Sequence, residues 1–209
     1  MVEIEDPVVP RRLDYQTLYN NGVGRIEYKC GRWVHMALPG PPRAPRAPNR
    51  NSLVVAIGGD CLRNHGTGRA AIGVFWGYGN PNNVSSALDS YPGPRTIVMS
   101  ELSACCRALR DGIRIQQQRE NCMPLQRLVV KSDSERVVSG VTEHMPHWIA
   151  NGWRSAHGGP IPYGAFYLEI KNLIAELENE GTAVDFWFVS RRLNSDARRM
   201  ARNGLRRDP

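Results

Sequence analysis

No run of about 18 consecutive apolar residues occurs in the 209-residue chain, so no segment is expected to cross a bilayer as a helix. Met1–Asp6 is acidic and has no apolar stretch, so a secretory leader is not expected either. The five cysteines, at 30, 61, 105, 106 and 122, form no C-x-x-C pair. Their spacing points away from a zinc site or a disulfide framework and toward reduced thiols in an intracellular protein, nuclear or cytoplasmic. The histidines, at 35, 65, 144, 147 and 157, lack metal-ligand spacing. No internal repeat is present. Lysine is nearly missing, with Lys29, Lys131 and Lys171 the only ones among 27 basic residues.

What is there belongs to a folded domain. Apolar residues make up 41% of the chain and charged residues 22%, which excludes disorder throughout. Twenty acidic residues against 27 basic leave a net charge of +7, carried almost wholly on arginine. Guanidinium forks match phosphates and carboxylates, so a nucleic acid or an acidic protein surface fits as a partner. Residues 39–51 combine proline and arginine without apolar periodicity and read as an extended linker or strap. Ahead of them, Arg25–Lys29 and Arg32–Met36 alternate around Cys30-Gly31 as a hairpin. A lone hairpin is barely stable, so it should dock on the rest of the chain with Trp33 as its anchor.

After the strap the periodicity changes in a definite order. Ser52–Gly58 reads as a buried strand and Arg69–Tyr78 as a second, with a weaker third in 84–90. Ser100 is the expected N-cap of a helix striped by Leu102, Cys105, Cys106, Leu109 and Ile113. Leu125–Lys131 is a fourth strand, and Asp133–Ile149 a helix broken at Pro146. Phe166–Leu177 is a further helix, Val184–Val189 a fifth strand, and Ser195–Asn203 a basic helix closed by Gly204. The order β-β-β-α-β-α-α-β-α implies one α/β domain: a five-stranded mixed sheet, three antiparallel strands followed by parallel ones, flanked by helices.

Four local segments sit at the boundaries of these elements: Val54–Cys61, Met99–Leu102, Val130–Ser134 and Leu193–Ala201. Together with the element order they resemble the ribonuclease H type 1 family over about residues 52–205. The stretch Ser132–Trp153 is most similar to the fungal-type members. The resemblance divides the chain into an N-terminal extension (1–38), the Pro/Arg linker (39–51), an RNase H-like domain (52–205) and a basic tail (206–209). It also implies a chemistry, cleavage of the RNA strand of an RNA–DNA hybrid by two Mg²⁺ ions. Hard divalent cations held close together need several oxygen ligands.

Carried over position by position, the family's helix glutamate is Glu101 and its fourth-strand aspartate is Asp133. Its first-strand aspartate falls on Gly58 and its last-helix aspartate on Arg198. A glycine supplies no ligand, and an arginine supplies a cation where a metal would sit. Asp60 has the parity to stand in for Gly58 but lies roughly 6–7 Å further along a strand. Asp196 should face away from Arg198's side of the helix. Ile97-Val98-Met99 replaces the polar residue that precedes the family's glutamate, and no histidine precedes the last helix. Arg198 is expected to bridge Glu101 and Asp133 in place of a metal. Asn64, Trp148, Trp153, Arg154, Arg191 and Arg192 are candidate nucleic-acid contacts, with core packing the competing role for the tryptophans. The resulting expectation is a pseudoenzyme that needs no cofactor and serves as a nucleic-acid-binding or scaffold module. The alternatives are a Mg²⁺-dependent ribonuclease H using Asp60, Glu101 and Asp133, and a protein-binding module using the hairpin and strap.

Overall fold

The computed structural model describes residues 11–13, 26–38, 47–62, 68–89, 95–121 and 123–206. Its strands are β1 (Glu27–Cys30), β2 (Trp33–Ala37), β3 (Pro48–Asn49), β4 (Ser52–Leu62), β5 (Arg69–Phe75), β6 (Val84–Ala87), β7 (Arg127–Ser132) and β8 (Ala183–Phe188). Its α-helices are α1 (Ile97–Gln118), α2 (Glu135–Ser139), α3 (Met145–Ala150), α4 (Gly164–Asn179) and α5 (Ser195–Arg206). The main sheet runs β6-β5-β4-β7-β8, antiparallel across β6-β5-β4 and parallel across β4-β7-β8. This is the five-stranded mixed sheet that the periodicity implied.

Alternation along β4 sets the layers. Leu53, Val55 and Ile57 point into a core shared with α1, α4 and the α2–α3 segment. Val54 and Ala56 point the other way, toward Ala197 of α5 and toward Ile26, Val34 and Met36 of the N-terminal strands. Full burial of each such aliphatic side chain contributes roughly 1.5–3 kcal/mol before entropy is counted. The N-terminal strands are therefore docked on the main sheet. Trp33 meets Trp76 edge-on at 6.1 Å, and the Val34 amide donates to the Trp76 carbonyl at 3.0 Å. A partly buried ion pair from Lys131 to Glu27 fastens β1. Residues 11–13 lie along the outer edge of β8, where Arg12 pairs in parallel with Phe186. Arg11 is bound to Glu178, and Arg12 to Glu135 and Glu143.

Several boundaries differ from the sequence reading. Residues 47–51 do not continue the strap; Pro48 and Asn49 pair with β2 as a third strand. The rest of the strap, 39–46, lies outside the described residues. Strand β4 runs on to Leu62, in unbroken register with β5. Helix α1 is capped by Thr96, whose hydroxyl accepts from the Met99 amide at 3.1 Å. Ser100 sits inside the first turn and donates back to the Ile97 carbonyl, the bond a serine makes within a helix. Pro146 breaks nothing. A π-helical turn, Gly140–His144, precedes α3, and its wider i→i+5 coil relieves the proline ring of its clash with the carbonyl four residues back. Gly204 lies within α5, which extends to Arg206, a residue assigned to the tail from sequence.

Candidate functional site

Two adjacent glycines on β4 let two helices approach the sheet from opposite faces. A Cβ on Gly59 would stand 2.6 Å from the Glu101 amide and from Ser100 Oγ, so only glycine allows α1 to cross here and deliver Glu101 to the strand. A Cβ on Gly58 would point to the other face, 3.2 Å from the Ala197 carbonyl carbon and the Arg198 nitrogen. The first-strand and last-helix positions picked out in the sequence are thus neighbours in space.

Asp133 follows the end of β7 and is only 6% exposed. Its Oδ1 accepts from Asn194 Nδ2 at 2.6 Å, and its Oδ2 accepts from Arg198 Nη1 at 2.9 Å. Arg191 Nε lies 3.8 Å from the same oxygen. Asn194 is buried at the end of a 3₁₀ turn, where its Nδ2 also donates to the Ile57 carbonyl at 2.8 Å. This asparagine pins the last helix to the central strand and to the carboxylate. Glu101 takes a different partner, Ser134, whose hydroxyl donates to Oε2 at 2.6 Å. Burial holds the Glu101 carboxyl above its ordinary range, and the Asp133 charge adds to the effect. The Ser134 bond and the charges of Arg198 and Arg136 pull the other way.

The expected bridge is half formed. Arg198 grips Asp133, while Glu101 is hydrogen-bonded to Ser134; the guanidinium reaches Glu101 only through space. Asp60 does not replace Gly58. Because β4 stays straight and paired through Leu62, its carboxylate caps the Cys61 amide at 2.9 Å instead. Asp196 faces Tyr78 and Arg199, as the helical rotation requires. Trp148 packs edge-on against Tyr167 at 4.8 Å, and both Trp148 and Trp153 rest on the main core, which favours packing over contact with a ligand. Arg154 bonds within its own loop, to the Gly158 carbonyl. Arg191 and Arg192 are exposed beside Arg198. Asn64 lies outside the described residues. Sequence reasoning overlooked Asn194 and Ser134, although each sits in a segment that it had singled out.

A cleft of about 810 Å³ opens beside the two carboxylates, bounded by Cys61, Arg95, Thr96, Ser134 and Tyr163. A second, of about 620 Å³, is lined by Arg198 together with Arg191, Arg192, Ser195, Arg199 and Arg202.

The family model described as RNase H matches residues 50–189, well over half of the chain. The chain belongs to the RNase H family. It is 30% identical over 158 residues to ribonuclease H1 of Mus musculus and 31% over 158 residues to that of Rattus norvegicus. Each match covers 74% of this chain and 50% of the relative, so the chain spans about half the length of these curated relatives. Its fold superposes on the foamy viral protease-reverse transcriptase in complex with RNA/DNA hybrid. There the TM-score is 0.55 at 16% identity, covering 78% of this chain and 21% of that one.

The metal chemistry of an RNase H enzyme needs carboxylates grouped around empty space. In this RNase H domain no group of three or more His, Cys, Asp or Glu residues suited to a metal exists among the described residues. Both oxygens of Asp133 are already occupied, one of them by a permanent cation. The residues present do not fit a pair of Mg²⁺ ions.

Proposed function

We propose that this RNase H-fold chain is a pseudoenzyme that binds nucleic acid, an RNA–DNA hybrid in particular, without cleaving it. The observation that carries the reading is the Arg198 guanidinium on Asp133, at the position to which the family resemblance assigns a metal-binding carboxylate. An arginine there neutralises the buried aspartate as a metal would, yet it has no coordination site to offer a water or a scissile phosphate. The net charge of +7, carried on arginine, supports a polyanionic partner. So does the RNA/DNA hybrid bound by the foamy viral protein with the same fold. Cys30, Cys105 and Cys106 are free thiols, which suits a reducing compartment, nucleus or cytoplasm.

The test is to incubate purified protein with end-labelled RNA–DNA hybrid in Mg²⁺ and, separately, in Mn²⁺. The expected result is binding that weakens steeply as salt rises, with the RNA strand intact. Cleavage that Glu101→Gln abolishes would overturn the proposal in favour of an active ribonuclease H.

A further inference from the structure

The second cleft has no place in RNase H chemistry as the carboxylates define it. Its lining is five guanidiniums and one hydroxyl, Arg191, Arg192, Arg198, Arg199, Arg202 and Ser195. Ser195, Arg198, Arg199 and Arg202 recur at the spacing that puts side chains on one face of a helix, and the 3₁₀ turn adds Arg191 and Arg192 at its head. Among the described residues two carboxylates answer these charges. Arg198 and Arg191 turn toward Asp133, and Arg199 pairs with Asp196 at 2.9 Å. Among the described residues Arg192 and Arg202 meet no carboxylate within salt-bridge distance, so the cleft keeps a surplus of positive charge.

We propose that this arginine cleft holds successive phosphates of a nucleic-acid strand without a divalent cation. The inference rests on the nucleic-acid reading above and locates it. Arginine forks bind phosphate oxygens in pairs. Arg198 and Arg202 lie one helical turn apart, about 6 Å along the axis, so the two forks can meet different phosphates of one strand. An acidic protein surface is the weaker match, because protein interfaces bury an apolar core and no side chain lining this cleft is apolar. Arg198 connects the two halves of the molecule's chemistry, since the residue that displaces the metal also forms one wall of the phosphate site.

The experiment is fluorescence anisotropy of a labelled RNA–DNA hybrid titrated with the full chain in EDTA, across a salt series. It compares wild type with Arg192→Glu/Arg202→Glu and with the charge-reversal control Arg110→Glu, on α1. The expected outcome is tight binding in EDTA, at least tenfold weaker in the double variant and unchanged in the control. The slope of log affinity against log salt should fall by about two, one for each lost phosphate contact. If the double variant is misfolded by circular dichroism, Arg192→Gln/Arg202→Gln replaces it, with a loss in the same direction. Wild-type binding that the variants leave intact, or that appears only with Mg²⁺, overturns the cleft and leaves the function proposal standing. Polyglutamate displacing the hybrid at equal charge concentration overturns it in favour of an acidic protein. No binding of hybrid by wild type removes both proposals.

Discussion

The Glu101 carboxyl is a half-buried charge at odds with its surroundings. Because burial and the Asp133 charge raise its pKa in the folded chain, the folded state keeps the proton to higher pH than the unfolded chain does. Ionised Glu101 therefore subtracts stability above its folded pKa, and the cost fades as pH falls into the ordinary carboxylate range. Glu101→Gln should raise the unfolding free energy at neutral pH, since the amide oxygen can still accept from Ser134. Urea melts should show that gain shrinking toward zero in acid; an equal gain at both ends of the pH range would refute the account. Arg198 has the opposite role. Its removal in Arg198→Ala leaves the Asp133 side chain, 6% exposed, with a neutral asparagine and a solvent-exposed Arg191 at 3.8 Å, a loss of about 3 kcal/mol. Adding Asp133→Asn should restore most of it in a double-mutant cycle by denaturant unfolding. Glu101, Asp133, Gly58 and Arg198 were legible in the sequence because each falls within one of the four short segments that carry the family resemblance. Asn194 was not, because its bond to Asp133 spans 61 positions and only the folded chain brings the two together.

At the scale of elements, the packing of α5 on the sheet depends on a missing side chain of β5 as well as on Gly58. A Cβ on Gly73 of β5 would lie 2.1 Å from the Ala197 carbonyl oxygen, a contact that requires backbone to move. Gly73→Ala should cost about 2–3 kcal/mol by overpacking, read as a lower denaturant midpoint, and should loosen the helix that carries the arginines. The strands and helices of the main sheet could be read from periodicity because each buries a face. Where the reading failed, local chemistry had no period to show. Thr96 caps a helix that opens on Ile97 and Val98, residues with strand-like propensity. The two-residue strand β3 begins with a proline. Pro146 continues a helical run only because a π turn precedes it, and nothing in the local sequence announces that turn.

For the molecule as a whole, the question is whether the ligands alone separate it from a metal-binding relative. Gly58→Asp combined with Arg198→Asp places carboxylates at both positions, although the new Cβ on β4 asks α5 to give by a few tenths of an ångström. The double variant should melt lower than wild type without metal, because four carboxylates then crowd one place. It should gain a Mg²⁺-dependent rise in melting temperature that wild type lacks. A folded variant indifferent to Mg²⁺ would show that the surroundings have diverged as well.

The outer strand β8 has a consequence of a different kind. A bare strand at the edge of a sheet offers unpaired amides and carbonyls to any neighbouring molecule. Here Arg11 and Leu13 use those groups on Phe186, with both hydrogen bonds at 2.8 Å. The cover is held by ion pairs of Arg11 and Arg12 that are partly open to water, and salt screens such pairs. Protection against self-association is thus coupled to ionic strength. Light scattering should show the protein monodisperse in dilute buffer and increasingly prone to edge-to-edge aggregation as sodium chloride rises.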